Sequence, residues 1–306
     1  DSSINLAFSD LETKIKKFEE MMNNQQQKIQ EQQDSIDLLL SEKQKREDFI
    51  KNPIDACAKI IGEKVEVPLF FTKIPDYGFS KKEILKEITI PSSVTIIGSN
   101  AFYRCTSLVH AYIPSSVTNI GANAFRECTS LITISIPSSV TFIGSHAFYN
   151  CKYMQKVNNN SLVTTISPYT FYGCELLKYT QIPETTISIE SNAFNGCVNI
   201  KCLIIPPSVV YIGSDAFIGC PFTYNNYFEI PSSVLTIGPR AFVLCSFLRF
   251  IQIPSSVTSI GEHAFGGCSS LRAVKIDVSL TTIKSYTFYK CKSLESIELP
   301  KSITFN

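Results

Sequence analysis

From about residue 63 onward, apolar and polar positions recur with a fixed period. Segments 90–108, 113–131 and 253–271 share almost the same pattern, in which an Ile-Pro pair is followed by Val, Ile-Gly, Ala-Phe and Cys at the same spacing. Apolar and polar residues alternate just before each Ile-Pro pair. The proline positions are spaced by 23 residues, except for a step of 25 between Pro206 and Pro231, and Asn160 and Asp277 stand in two of these positions. A fixed period in the twenties predicts a repeat solenoid, in which each coil buries its apolar face against its neighbours.

The spacing within one repeat predicts its local structure. Alternating residues such as Val274 and Ile276 predict a half-buried strand that the following proline ends. Val257 and Ile260 predict a second short strand or turn, and Gly261 is expected to allow a bend. The Ala-Phe-x-x-Cys spacing predicts a short helical turn. Successive strands should stack in parallel, which places equivalent side chains about 5 Å apart.

The repeat defines the domain organisation. Segment 68–306 is predicted to form ten coils, which begin at positions 68, 91, 114, 137, 160, 183, 206, 231, 254 and 277. Segment 52–67 is predicted to contain the first strand and a capping helix from Pro53 to Ile61, which covers the exposed core of the first coil.

The recurring Ile-Pro, Ile-Gly, Ala-Phe, Cys and Leu elements resemble the leucine-rich repeats of the BspA-like type, over roughly residues 63–306. Members of that family are surface proteins of protozoan parasites and mouth bacteria. The resemblance implies a curved leucine-rich repeat solenoid that serves in adhesion or protein binding at a cell surface. It implies no catalytic residues.

Segment 1–51 has a different pattern, in which apolar residues recur at alternating steps of four and three. This heptad pattern predicts a parallel α-helical coiled coil that makes the protein a homodimer or homotrimer. The alternative is a single amphipathic helix. The residues predicted to form the oligomer seam are Phe8, Leu11, Ile15, Phe18, Met22, Ile29, Ile36, Leu39 and Ile50, and polar residues at Gln25, Gln32, Lys43 and Arg46 interrupt it.

Charge and hydropathy exclude several classes of partner. The net charge of +1 gives no reason to expect a nucleic acid or an anionic membrane surface as partner. The sequence contains no run of about 18 apolar residues, so no transmembrane span is expected. Neither a signal peptide nor an initial methionine is visible, so the termini do not indicate a location. The cell surface is expected from the resemblance, and the cytoplasm is the alternative.

Nine of the eleven cysteines occupy one position of the repeat, which predicts a column of buried, reduced thiols rather than disulfides. No Cys-x-x-Cys pair or histidine cluster accompanies them, so neither a metal nor another cofactor is expected. The only histidines are His110, His146 and His263, and the sequence contains no phosphate-binding loop or nucleophile elbow. These features predict a protein that is not an enzyme.

Binding is expected on the outward face of the strands. The residues two and four places before each proline position should point outward, and five of them predict an apolar and aromatic patch rimmed by cations. The alternative is that this patch packs on a second subunit, on the N-terminal helix or on nothing. The predicted patch is Tyr179, Cys202, Ile204, Tyr227 and Phe250, with Lys178, Lys201 and Arg249 at its rim.

Two main interpretations of function remain. The first is an adhesion protein that binds a host or matrix protein at the cell surface, with the coiled coil multiplying weak sites. The second is an intracellular scaffold, and a third is a structural assembly protein. Asn159-Asn160-Ser161 also matches an N-glycosylation sequence, which matters only if the protein is secreted.

Overall fold

The computed structural model describes residues 2–51, 63–201, 203–221, 228–277, 282–299 and 304–305, and within the N-terminal helix it describes the side chains at 13, 16, 17, 19–45 and 47. The chain divides into two compact units, Asp1–Lys51 and Asn52–Asn306. The predicted capping helix from Pro53 to Ile61 lies outside the described residues, as do Cys202 and Tyr227 of the predicted patch.

The first unit is one helix, α1, over Ser2–Lys51. No proline or glycine interrupts it, and side-chain hydrogen bonds link residues four apart, as between Gln30 and Asp34 (2.9 Å) and between Gln33 and Asp37 (2.9 Å). These bonds lie off the predicted seam. The seam residues Met22, Ile29, Ile36 and Leu39 are exposed in the single chain. The predicted coiled coil therefore stays a prediction, whereas the helix is confirmed.

The second unit is a parallel β-solenoid of about ten coils. Its longer strands, which precede the proline positions, are β1 (Lys64–Glu66), β3 (Glu87–Thr89), β5 (His110–Tyr112), β7 (Thr133–Ile136), β9 (Lys156–Asn159), β14 (Phe250–Ile253), β16 (Ala273–Ile276) and β18 (Ser296–Glu298). Its two-residue strands are β2 (Lys73–Ile74), β4 (Ile96–Ile97), β6 (Asn119–Ile120), β8 (Phe142–Ile143), β10 (Thr165–Ile166), β11 (Ser188–Ile189), β12 (Tyr211–Ile212), β13 (Thr236–Ile237), β15 (Ser259–Ile260), β17 (Thr282–Ile283) and β19 (Thr304–Phe305).

Each strand pairs in parallel with its equivalent in the next coil. The longer strands form one sheet in the order β1-β3-β5-β7-β9 and a second in the order β14-β16-β18, and we call the outward side of both the sheet face. The two-residue strands form three further sheets, β2-β4-β6-β8, β10-β11-β12-β13-β15 and β17-β19. Partners such as Ile251 and Val274 lie one repeat apart. The predicted parallel stacking is confirmed.

Stacked side chains fill the interior of the coils. One phenylalanine per coil stacks on the next, with ring centroids 5.0 Å apart for Phe102 and Phe125 and 5.5 Å apart for Phe125 and Phe148. Rings this close and nearly parallel bury a large apolar area in every coil. The first coil, which begins at position 68, follows the same plan, because Ile74 and Phe79 are fully buried.

The Ala-Phe-x-x-Cys segment differs from the predicted short helical turn. It is a chain of turns in which alternate N–H groups bond within the coil and across to the next one, as Tyr103 N donates to Asn100 O (3.1 Å) and Phe102 N donates to Ala124 O (2.7 Å). Sixteen described non-glycine residues and four glycines have left-handed φ, two in each coil. Asn100 (φ 56°) and Arg104 (φ 58°) are one such pair. The left-handed residues redirect alternate amides to the neighbouring coil, which a helix would not allow.

The glycine of the Ile-Gly pair serves close packing between coils. A Cβ at Gly121 would lie 2.5 Å from Ser99 N and 2.6 Å from Gly98 C, both in the backbone of the preceding coil. Gly121 is not among the residues with left-handed φ. The glycine is therefore required because no side chain fits there.

Candidate binding surfaces

The sheet face presents two columns of outward side chains. In β14, Phe250 and Gln252 are exposed while Ile251 and Ile253 are fully buried. The same alternation occurs in β7, where Thr133 is exposed. The predicted division between core and outward positions is therefore confirmed for these strands, and the outward side chains stand on a core that holds their backbone in place.

The described members of the predicted patch are solvent-accessible. Ile204 is 72% exposed, Tyr179 is 50% exposed and Phe250 is 38% exposed. Lys201 and Arg249 are exposed and Lys178 is half-buried. Lys201 N donates to Lys178 O (3.1 Å), which places the coils of Tyr179 and Ile204 side by side.

The described patch residues do not all lie on adjacent coils. Phe250 lies in β14, and the coil between it and Ile204 contains residues 222–227, which lie outside the described residues. A single patch across four coils stays a prediction.

The ladder of the sheet face is interrupted after β9. A single bridge between Lys156 and Tyr179 joins β9 to the next coil, and among the described residues the sheet-face strands resume only at β14. Two cavities of about 530 and 540 Å³ lie at this break, and residues 160, 180 and 181 line both. Volumes in this range are typical of ligand sites. We call the two cavities together the break groove.

Two buried polar side chains line the break groove. Asn159 is 3% exposed and Thr180 is 7% exposed, and neither Asn159 Nδ2 nor Thr180 Oγ1 has a hydrogen-bond partner. Asn159 Oδ1 accepts a hydrogen bond from Ser161 Oγ (2.7 Å). Asn159 is the acceptor residue of the glycosylation sequence. Because its side chain is buried, the folded protein does not expose the amide to a glycosylating enzyme.

Sequence reasoning missed a cluster of stacked rings on the turn segments. His146 stacks on Tyr169 with centroids 4.6 Å apart, and Tyr149 stacks on Tyr172 at 4.8 Å. The Arg126 guanidinium carbon lies 4.7 Å from the Tyr149 ring centroid. Partial burial and the nearby Arg126 lower the pKa of His146. Aligning the positions before Ala and after Phe by the 23-residue period would have revealed this cluster.

A second cluster of the same kind lies near the end of the chain. His263 stacks on Tyr286 (4.8 Å) and meets Tyr289 edge-on (5.9 Å), and Lys290 Nζ lies 5.2 Å from the Tyr289 centroid. A shallow cavity of about 420 Å³, whose lining includes Arg240, lies beside these rings. Ring stacks join adjacent coils in both clusters, and in the first cluster the Arg126–Tyr149 cation–π pair does so too, an arrangement that stabilises adjacent repeats.

The cysteine column consists mostly of buried, hydrogen-bonded thiols. Eight of the nine described cysteines are buried, none of the nine forms a disulfide, and each thiol donates to a phenylalanine carbonyl of the preceding coil, as Cys174 Sγ does to Phe148 O (3.2 Å). Burial raises the pKa of Cys105 and of Cys174 to about 12. Because thiolates are the reactive form, Cys105 and Cys174 are structural. Cys291 differs, since it is half-buried and its hydrogen bond with Cys268 lowers its pKa. The predicted burial of this column is confirmed for eight of the nine described positions, and the reduced state stays a prediction.

The repeat geometry agrees with a match to a family model. The model for the BspA type leucine-rich repeat region matches six copies, over residues 56–178 and 222–305. The chain belongs to the BspA-type leucine-rich repeat family. The resemblance read from the sequence is therefore confirmed.

Solved structures of other BspA-type and leucine-rich repeat proteins share the fold. A leucine-rich repeat protein from Bacteroides ovatus ATCC 8483 is 29% identical with a TM-score of 0.71, over 79% of this chain and 62% of that one. This BspA-type chain thus spans less than two-thirds of that protein. The pneumococcal vaccine antigen PcpA is 19% identical with a TM-score of 0.51, over 79% of this chain and 73% of that one, a likeness of fold alone.

A leucine-rich cell surface protein from Faecalibacterium prausnitzii A2-165 is 26% identical to this BspA-type chain with a TM-score of 0.40, over 77% of this chain and 87% of that one. No curated protein sequence matches.

The BspA-type repeats suggest protein interaction or a surface role, and leucine-rich repeat proteins are generally non-enzymatic binding proteins. Within the described residues, no cluster of three or more His, Cys, Asp or Glu could hold a metal ion. No helix in the described part of the chain is long and apolar enough to cross a membrane.

Proposed function

We propose that this chain is a non-enzymatic adhesion protein that binds a host or matrix protein on its sheet face, and that α1 joins copies of it through a parallel coiled coil. The observation that supports it most is the exposure of Tyr179, Ile204 and Phe250 beside Lys201 and Arg249 on a face backed by a packed core. Exposed aromatic and apolar anchors next to cations are typical of protein-binding hot spots.

The binding role is tested with matched variants. The purified chain is applied to immobilised extracellular-matrix proteins, and Tyr179→Ser combined with Phe250→Ser is compared with Phe142→Ser. Phe142 is an exposed aromatic in β8, outside the sheet face, so its replacement is the control. We expect the double variant to bind at least about tenfold more weakly and the control to bind like wild type. Equal binding by all three proteins contradicts a sheet-face site.

The oligomerisation role is tested on α1 itself. Ile36 lies on the predicted seam and Leu38 lies off it, and both side chains are exposed in the single chain. A buried seam excludes polar replacements, so Ile29→Ser with Ile36→Ser should reduce the mass in sedimentation equilibrium to that of a monomer. Leu38→Ser should leave the mass unchanged. A monomeric wild-type protein contradicts the proposal, because no avidity then arises from linked sites.

The location is tested by protease treatment of intact source cells. Loss of the protein, while a cytosolic control stays intact, supports adhesion at the surface. Full protection contradicts adhesion and favours the intracellular scaffold.

A further inference from the structure

At the break groove, polar residues replace apolar ones in two core columns. Asn159 occupies the position that is Ile136 in the coil before and Ile182 in the coil after, and both isoleucines are buried. Thr180 likewise occupies the position of Val157 and Leu203, which are also buried. The two polar residues lie on adjacent coils, at the place where the ladder stops.

Neither polar group is satisfied within the chain. Asn159 uses its oxygen to accept from Ser161, which leaves its Nδ2 as a buried donor with no acceptor. Thr180 Oγ1, which can donate and accept, also has no partner. A buried polar group without a partner costs stability, and the neighbouring coils show that isoleucine, valine or leucine serves at these positions. Two buried polar groups without partners at one cavity indicate that a ligand supplies the missing hydrogen bonds.

The remaining lining indicates what kind of ligand fits. Leu162 and Ile204 supply exposed apolar walls. Lys156 lines one cavity and Glu184 lines the other, and neither forms an ion pair among the described residues. A phosphate ligand would require several cations, and Lys156 is the single cation in this lining. The groove therefore offers a hydrogen-bond donor, an acceptor, apolar walls and one charge of each sign. A peptide matches this lining, because its backbone carries both an acceptor and a donor and its side chains can be apolar or charged.

We propose that the break groove binds an extended peptide segment of a partner protein. A peptide carbonyl accepts from Asn159 Nδ2 and a peptide N–H donates to Thr180 Oγ1. An acidic side chain of the peptide pairs with Lys156, and a basic one pairs with Glu184. This inference rests on the proposed function, since it names the groove through which a protein ligand is held.

The probe is a displayed library of random nonapeptides selected on the full chain. The test variant combines Asn159→Ile with Thr180→Val, which restores the apolar residues of the neighbouring coils. Thr89→Val is the matched control, because Thr89 is exposed on β3 away from the groove. We expect selected peptides to carry both an acidic and a basic residue and to bind the test variant at least tenfold more weakly than wild type and the control. The thermal midpoint of the test variant should be unchanged or higher, because the new side chains match the neighbouring core.

Three results overturn the inference. The first is a library that yields no peptide binding wild type with a Kd below about 1 mM. The second is a set of peptides that bind wild type and the test variant equally. The third is a clear loss of thermal stability in the test variant, which means that internal water satisfies the two groups in the wild-type protein. The proposed function fails separately, through equal matrix binding by wild type and the variant at Tyr179 and Phe250.

Discussion

Alkaline pH should destabilise the solenoid through its cysteine column. Burial raises the pKa of Cys174 to about 12 from an ordinary value of 9.0, and it raises the pKa of Cys151 as well. Between these values the folded state keeps the thiol proton while the unfolded chain releases it. Stability is therefore fully present below pH 9 and is lost as the pH rises towards 12.

The magnitude follows from the proton release of the unfolded chain. At pH 10, one unit above the ordinary value, each buried thiol lowers the free energy of unfolding by about 1.4 kcal/mol relative to pH 7. Eight buried cysteines together give about 11 kcal/mol. This loss is comparable to the whole stability of a typical domain, about 5–15 kcal/mol.

The assay is urea unfolding followed by circular dichroism at pH 7, 8, 9 and 10, with a reductant present. Cys151→Ala combined with Cys174→Ala is compared with wild type and with Val140→Ala, a buried position that creates a cavity without a titrating group. The cysteine variant should be less stable at pH 7, because of its cavities, but should lose about 3 kcal/mol less than wild type between pH 7 and pH 10. Val140→Ala should lose as much as wild type. Equal losses in all three proteins would refute the reasoning.

Three further predictions concern packing. Phe148→Ala should lower the free energy of unfolding by about 3–5 kcal/mol, because it removes a ring that stacks on both sides. Phe142→Ala should lower it by less than about 1 kcal/mol, since Phe142 is exposed, and chemical unfolding measures both changes. Gly121→Ala should cost about 1–3 kcal/mol because its Cβ meets backbone, while Gly266→Ala, whose Cβ would lie 3.2 Å from the nearest atom, should cost less, and equal thermal midpoints would contradict this. Leu244→Gly should leave the stability unchanged or raise it by up to about 1 kcal/mol, since Leu244 is exposed and its φ of 59° is left-handed. A clear loss of stability in urea unfolding would show that the side-chain contacts of Leu244 outweigh this backbone strain.

The period alone identifies the fold and most of the core. In a solenoid each residue lies next to its equivalent in the adjacent coil, so a column such as Phe102, Phe125 and Phe148 is visible as soon as the repeats are aligned. Proline at the strand ends follows from the same alignment. For the glycine of the Ile-Gly pair the sequence predicts only a bend, and its close contact with the backbone of the preceding coil required the tertiary structure. The α1 helix is likewise readable, since no breaker interrupts its heptads.

The turn segments required the tertiary structure. The Ala-Phe-x-x-Cys spacing is equally compatible with a helix and with a chain of turns, because both bring residues three apart together. The structure selects turns, since alternate amides such as Phe102 N bond to the next coil instead of to their own segment. That choice depends on backbone from a different coil, which no local pattern contains.

The break groove also required the tertiary structure. In the sequence, Asn159 and Thr180 are two isolated departures from an apolar pattern, 21 positions apart. Folding places them on adjacent coils beside a cavity and leaves Asn159 Nδ2 and Thr180 Oγ1 without a hydrogen-bond partner. The sequence by itself determined the repeating coil, its buried columns and the helix, because these follow from a period. The tertiary structure decided where the strand ladder of the sheet face stops and which buried polar atoms are left without a partner there, because hydrogen bonds between coils depend on positions in space.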